Sequence, residues 1–152
     1  MLIRTHLLIT LFFVLLFFSS TNNQITFVVV AFMSTLIPDI DTKFSVVGRK
    51  KIFRLLQFFV RHRGVLHSFT FLILVTLFFA SFIPVLAFPF FLGYGLHLIA
   101  DSFTLEGICP FYPLSKRVFG KIKTGGKSEV IVFIGFLVGD LALILIKILS
   151  LF

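Results

Sequence analysis

Five apolar stretches constrain this chain more than any other feature: Leu2–Phe18, Ile25–Ile37, Val65–Ile83, Pro84–Ala100 and Val130–Phe152. A helix that crosses the roughly 30 Å hydrocarbon core of a bilayer needs about 20 apolar residues, with a range of about 17 to 25. The third and fifth stretches meet that length directly. The first and fourth are marginal, and the second is short enough to require tilting or burial inside a bundle. The chain is 59% hydrophobic and 13% charged, whereas a soluble domain is about half apolar and about a quarter charged. A water-soluble fold and a disordered polar chain are both excluded. The expected fold is all-α: a polytopic membrane protein of about five transmembrane or membrane-embedded helices, forming one domain over residues 1–152.

Charge sets the expected orientation. The connection after the second stretch carries Lys43, Arg49, Lys50, Lys51, Arg54, Arg61 and Arg63, and the one before the fifth carries Lys116, Arg117, Lys121, Lys123 and Lys127. Arg4 precedes the first stretch, while Ser19 to Gln24 and the turn at Pro84 carry no charge. By the positive-inside rule both basic connections and the N-terminus face the cytoplasm, in the inner or plasma membrane, and the C-terminus lies outside. A net charge of +8 would suit nucleic acid in a soluble protein. In a membrane protein it faces anionic headgroups, so the expected partner is membrane lipid and no nucleic acid. Lys50 to Arg61 alternates basic with apolar residues, the pattern of an amphipathic helix lying in the headgroup layer. Arg4, an apolar run and then Ser19-Ser20 also resemble a signal peptide. The remaining chain is itself membrane-embedded, so cleavage is not needed to explain its hydrophobicity.

The polar residues are few and placed alike. His6 starts the first stretch, Pro38-Asp39-Ile40-Asp41 ends the second, and His62 and His67 straddle the start of the third. His97 and Asp101 close the fourth, and Glu129 opens the fifth. In the topology above all of them lie near the cytoplasmic face; Glu106 and the mid-span Asp140 stand apart. His97 and Asp101, four apart, share one helix face, as two metal ligands or as a buried hydrogen-bonded pair. Asp39 and Asp41 would point the same way from an extended segment, where their repulsion asks for a cation or a proton. Gly64 would let the chain turn so that His62 and His67 both face inward. Glu129 could cap the fifth helix against its dipole. Asp140 could bond across helices or carry a proton. The lone Cys109 excludes a disulfide framework and a Cys-only zinc site. Imidazoles and carboxylates gathered at one interface are a ligand set for zinc, manganese or iron, of the mixed His/Asp kind found in hydrolytic sites. More than four candidate ligands argue for two or three ions.

In this order the residues resemble the YdjM-like family of membrane-bound metal-dependent hydrolases. The matching pieces are Thr5-His6, Pro38-Asp39-Ile40-Asp41, His62-Arg63-Gly64 with His67-Ser68, Gly93-Tyr94 with His97 and Asp101, Asp101 with Thr104 and Gly107, and Thr124-Gly125 leading to Glu129. Where a small Ser is expected after Thr124-Gly125, this chain has Gly126. The resemblance implies an integral helical membrane hydrolase. It extends distantly to zinc-dependent phospholipase C and related single-strand nucleases, which implies a polynuclear zinc site and phosphoester cleavage.

The resulting expectation is a phosphoester hydrolase acting on a lipid or lipid-linked phosphate. Its metal ligands would be His6, Asp39, His62, His67, His97 and Asp101, holding two or three divalent ions, with zinc ahead of manganese or iron. Glu129 and Asp41 would serve as catalytic carboxylates, and Arg63 and Lys127 would hold the anionic headgroup. A metal-independent lipid phosphatase would also need a Pro-Ser-Gly-His loop and an upstream arginine clamp, and the sequence has neither. The alternative is a non-enzymatic membrane metal binder or transporter, which would require polar residues in mid-membrane.

Overall fold

The structure, a computed structural model, describes residues 1–41, 64–114 and 116–150. Five α-helices carry these residues: α1 (Ile3–Phe17), α2 (Gln24–Leu36), α3 (Phe69–Phe82), α4 (Pro84–Ser102) and α5 (Lys127–Leu149). Two short 3₁₀ turns, Pro38–Asp41 and Val65–His67, follow α2 and precede α3. No strand of more than an isolated bridge occurs among the described residues. The expected amphipathic helix between Lys50 and Arg61 lies outside the described residues.

Among the described residues three helices are long and apolar enough to cross a membrane: α1 with its 3₁₀ extension to Ser20, α4, and α5. This corrects the reading of the third stretch, whose helix has only 14 residues. Its first residues are diverted into the Val65–His67 turn, and Ser68 caps α3 by accepting from Phe71 N–H at 3.2 Å. Ile83 leaves the helical conformation and Pro84 opens α4 at once, where its missing N–H costs nothing. The first and fourth stretches, marginal by sequence, reach span length where the third does not.

α4 is the centre of the bundle, packed against α1, α2 and α3, while α5 packs along α1. Leu72 of α3 meets Phe90, Tyr94 and Leu98 of α4 in one core, and Val14, Phe27 and Ala31 join α1 to α2 in another. Gly93 is where α2 and α4 come closest: a Cβ there would lie 2.0 Å from the Ala31 carbonyl oxygen. Small residues at a helix crossing in lipid let backbones approach and polar side chains bridge them. Ser34 and Thr35 do so, donating to the Pro89 and Gly93 carbonyls at 3.4 and 3.2 Å. The outward faces of α3 and α5 are apolar and exposed, as Leu74, Leu77, Ile131 and Leu145 illustrate.

Candidate metal centre

Because the helices alternate in direction, the start of α1, the turn after α2, the turn before α3, the end of α4 and the start of α5 meet at one end of the bundle. Each delivers a polar side chain there. His6 sits on the buried stripe of α1 with Thr5, Ile9, Thr10 and Val14. Pro38 offers no N–H to the Ser34 carbonyl, so Ile37 N–H takes that acceptor in a tighter turn that carries Asp39. This corrects the extended geometry expected for Asp39 and Asp41, which lie on a 3₁₀ turn; Asp41 closes it. Tyr94 donates its hydroxyl to the Leu66 carbonyl and so fastens the Val65–His67 turn to α4, which places His67 inward. His97 and Asp101 are both buried on one face of α4.

The geometry is tight. His6 Nε2 lies 3.3 Å from Asp101 Oδ1, and His67 Nε2 and His97 Nε2 each lie 3.8 Å from Asp101 Oδ2. His97 Nε2 is 3.9 Å from Asp39 Oδ1. The His6 and His97 rings stack at 4.0 Å, and those of His67 and His97 meet edge-on at 5.6 Å. Two triads emerge, His6–His97–Asp101 and Asp39–His67–His97, each with ligand atoms within 4.8 Å of one another. Zinc bonds of 2.0–2.1 Å in tetrahedral geometry place neighbouring ligand atoms about 3.4 Å apart. The observed 3.3 to 3.9 Å therefore lies within a few tenths of what a shared ion requires.

A second test is whether the residues need a cation. His97 Nδ1 is 2.8 Å from the Thr35 carbonyl, which fixes the ring with Nε2 turned into the cluster. That Nε2, like His6 Nδ1, is buried with no hydrogen-bond partner among the described residues. An orphaned buried nitrogen costs about 1–3 kcal/mol. Burial pushes the Asp39 carboxyl above its ordinary value; the His6 imidazole opposes that rise and the Asp101 carboxylate adds to it. A metal ion bound at His97 Nε2 and Asp39 would relieve both penalties. The Met1 amine also donates to Asp101 Oδ1 at 2.6 Å.

Of the residues singled out by sequence, His6, Asp39, His67, His97 and Asp101 come together. His62 and Arg63 lie outside the described residues. Lys127 is exposed at the first turn of α5. Glu129 is buried and fully engaged: Oε1 accepts from Leu2 N–H at 2.6 Å and Thr5 Oγ1 at 2.8 Å, and Oε2 from Gly125 N–H at 2.6 Å. It ties the first residues of α1 to the entry of α5. Asp140 is buried in α5 and makes no hydrogen bond among the described residues, so the bond across helices allowed for it is not made there. Sequence reasoning missed the supports. Thr35 holds His97 through its carbonyl and meets Thr10 by a 2.8 Å hydroxyl contact. Thr104 closes α4 by donating to the Asp101 carbonyl and accepts from Gly107 N–H. Gly107, at φ +59, must be glycine, since a Cβ would lie 2.0 Å from the Val118 carbonyl. Thr104 and Gly107 were visible only as parts of the resemblance; Thr35 gave no signal.

The sequence profile described as "YdjM inner membrane protein" matches residues 1–150. The chain is also 31% identical over 109 residues to YvsG of Bacillus subtilis (strain 168), described as an uncharacterized protein, with 68% of each chain covered. No solved structure matches it.

Proposed function

The chain belongs to the YdjM inner membrane protein family, and we propose that it is a metal-dependent hydrolase cleaving a phosphoester of a lipid or lipid-linked phosphate. The observation that carries this reading is the buried cluster of three imidazoles and two carboxylates, drawn from α1, α4 and two turns and linked by four nitrogen–oxygen approaches of 3.3–3.9 Å. His6, Asp39, His67, His97 and Asp101 would hold the ions, with His62 a sixth ligand from the basic connection. The donor set has nitrogen and oxygen but no thiolate, which suits zinc first and manganese or iron next. Such ions supply a hydroxide-like water near neutral pH and polarise the phosphoryl group.

The chain's own residues do the rest. Asp101 faces His6 with Oδ1 and both His67 and His97 with Oδ2, so its carboxylate would be the central ligand of the cluster. The Thr35 carbonyl holds the His97 ring so that Nε2 faces the ions. Glu129, committed to three donors, is a positioning residue; the proton-transfer role falls to Asp41, at the end of the turn that carries Asp39. Arg63 and Lys127 hold the anionic headgroup at the interface. By the positive-inside rule the basic connections argue for this end of the bundle and the N-terminus at the cytoplasmic face.

One observation favours the second reading, a metal binder or transporter: Asp140, a buried carboxylate well inside α5. Metal content and turnover of purified protein separate the two. Wild-type protein should retain zinc and cleave a phosphodiester, and Asp101→Ala should lose both. Zinc retained without turnover favours the binder. A wild-type protein that takes up no more metal than Asp101→Ala defeats both.

A further inference from the structure

α4 presents two faces at its polar end. His97 and Asp101 point into the cluster, while Leu96 and Ala100, each one residue earlier and so about 100° round the helix, line something else. That is a groove of about 420 Å³ between α1, α4 and α5, walled by Ile9 and Phe13, by Leu96 and Ala100, and by Val132 and Phe136. Almost no polar surface lines it. The three helices that build it are the three of span length, so its walls are the ones that would face hydrocarbon. Met1 belongs to its wall and its amine donates to Asp101, so groove and cluster lie on either side of Met1.

We propose that this groove seats an acyl chain of the lipid whose phosphoester lies at the cluster, so that the substrate is a glycerophospholipid. This inference rests on the hydrolase reading and adds the substrate class to it. A partner helix does not fit, because a 10 Å cylinder of 5.4 Å pitch fills about 420 Å³ in a single turn. A water-soluble phosphoester would leave the groove unused. Acyl chains are the bilayer's own solvent around such helices, and the groove follows the end of α4 from Leu96 to its cap residue Phe103, a rise of about 10 Å that passes Asp101. A chain held there contributes binding energy remote from the reacting bond, which fixes the phosphoester's register on the cluster.

The test uses the full chain in phosphatidylethanolamine/phosphatidylglycerol vesicles carrying a trace of phosphatidic acid with a diazirine in one acyl chain. Photolabel should concentrate on Ile9, Phe13, Leu96 and Phe136. Filling the groove with Leu96→Trp should lower that label several-fold, and widening it with Phe136→Ala should keep it. Leu96→Trp should slow turnover of a long-chain phospholipid about tenfold while sparing bis-p-nitrophenyl phosphate. Label spread evenly over Leu74, Leu77, Ile131 and Leu145, and unmoved by Leu96→Trp, overturns the proposal, as does stronger competition by a polyprenyl phosphate than by phosphatidic acid. Zinc content read on the same samples separates the two failures. Groove-specific label on a protein that binds no zinc sinks the hydrolase and leaves the groove, whereas diffuse label on an active zinc protein does the reverse.

Discussion

Gly93→Ala is the substitution in which packing and chemistry are most directly coupled. The added Cβ would stand 2.0 Å from the Ala31 carbonyl oxygen and 2.4 Å from Ser34 Oγ, against the 3.4 Å at which ordinary contact begins. Ser34 Oγ can rotate away, but the Ala31 carbonyl is helix backbone, so α2 and α4 must separate by up to about 1.4 Å. Asp39 follows α2 and His97 belongs to α4. If half of the shift reaches their 3.9 Å contact, it becomes about 4.6 Å. Two ligands on one ion at bonds of about 2.1 Å cannot be more than about 4.2 Å apart. Asp39 is then lost to the ion that His97 holds. Overpacking should cost about 1–3 kcal/mol of stability, and zinc affinity should fall by about 10- to 100-fold, the range for a disturbed ligand support. Zinc per polypeptide by mass spectrometry, titrated against a competing chelator, reads the affinity, and thermal unfolding in detergent reads the stability. Gly135→Ala is the control, since a Cβ there meets nothing within 4 Å. If Gly93→Ala binds zinc as tightly as Gly135→Ala does, the coupling of the α2–α4 crossing to the cluster is wrong.

Three other outcomes are expected. Glu129→Gln removes the charge that three donors share and should lower stability by about 1–3 kcal/mol while zinc stays bound; a fall in turnover of about 10² or more at unchanged stability would make Glu129 the base instead. Zinc affinity should weaken as the solution is acidified, because ligating imidazoles must be neutral and protons compete with the metal for their nitrogens; titration against a competing chelator at several pH values decides it, and an affinity that does not fall on acidification contradicts imidazole ligation. In a Cys109→Ser background, Lys121→Cys should resist a membrane-impermeant maleimide applied to intact cells, while a tag after Phe152 is reached; labelling of the introduced thiol from outside would reverse the orientation.

The site was more legible than the helices that carry it. His6, Asp39, His67, His97 and Asp101 all stood at the ends of apolar stretches, and an alternating bundle can only bring such ends together. The helix bounds were less legible because they depend on single local bonds. Ser68 takes Phe71 N–H and shortens α3, and Pro38 turns Asp39 on a 3₁₀ curve. Apolar length alone contains neither effect. The supports were the least legible. Thr35 acts on His97 through a backbone carbonyl, which every residue has, and Gly93 matters only because Ala31 lies opposite it. Glu129 stands in the first turn of α5, where the dipole favours it, but makes no side-chain cap there; its donors are residues 2, 5 and 125.

The brevity of α2 and α3 has a consequence for the surrounding lipid. At 13 and 14 residues they rise about 20 Å, some 10 Å less than a typical hydrocarbon core. A span that falls short is accommodated by thinning of the adjacent leaflets, at a fraction of a kcal/mol per Å. Both short helices border the end of the bundle where Asp39 and His67 sit. Bilayer deformation would therefore concentrate on that flank, and headgroup phosphates that normally ride above the hydrocarbon would be drawn down toward the depth of the buried imidazoles. On the proposed reading the membrane itself would deliver the polar part of a lipid to the cluster, and the thickness of the host bilayer would determine how readily it does so.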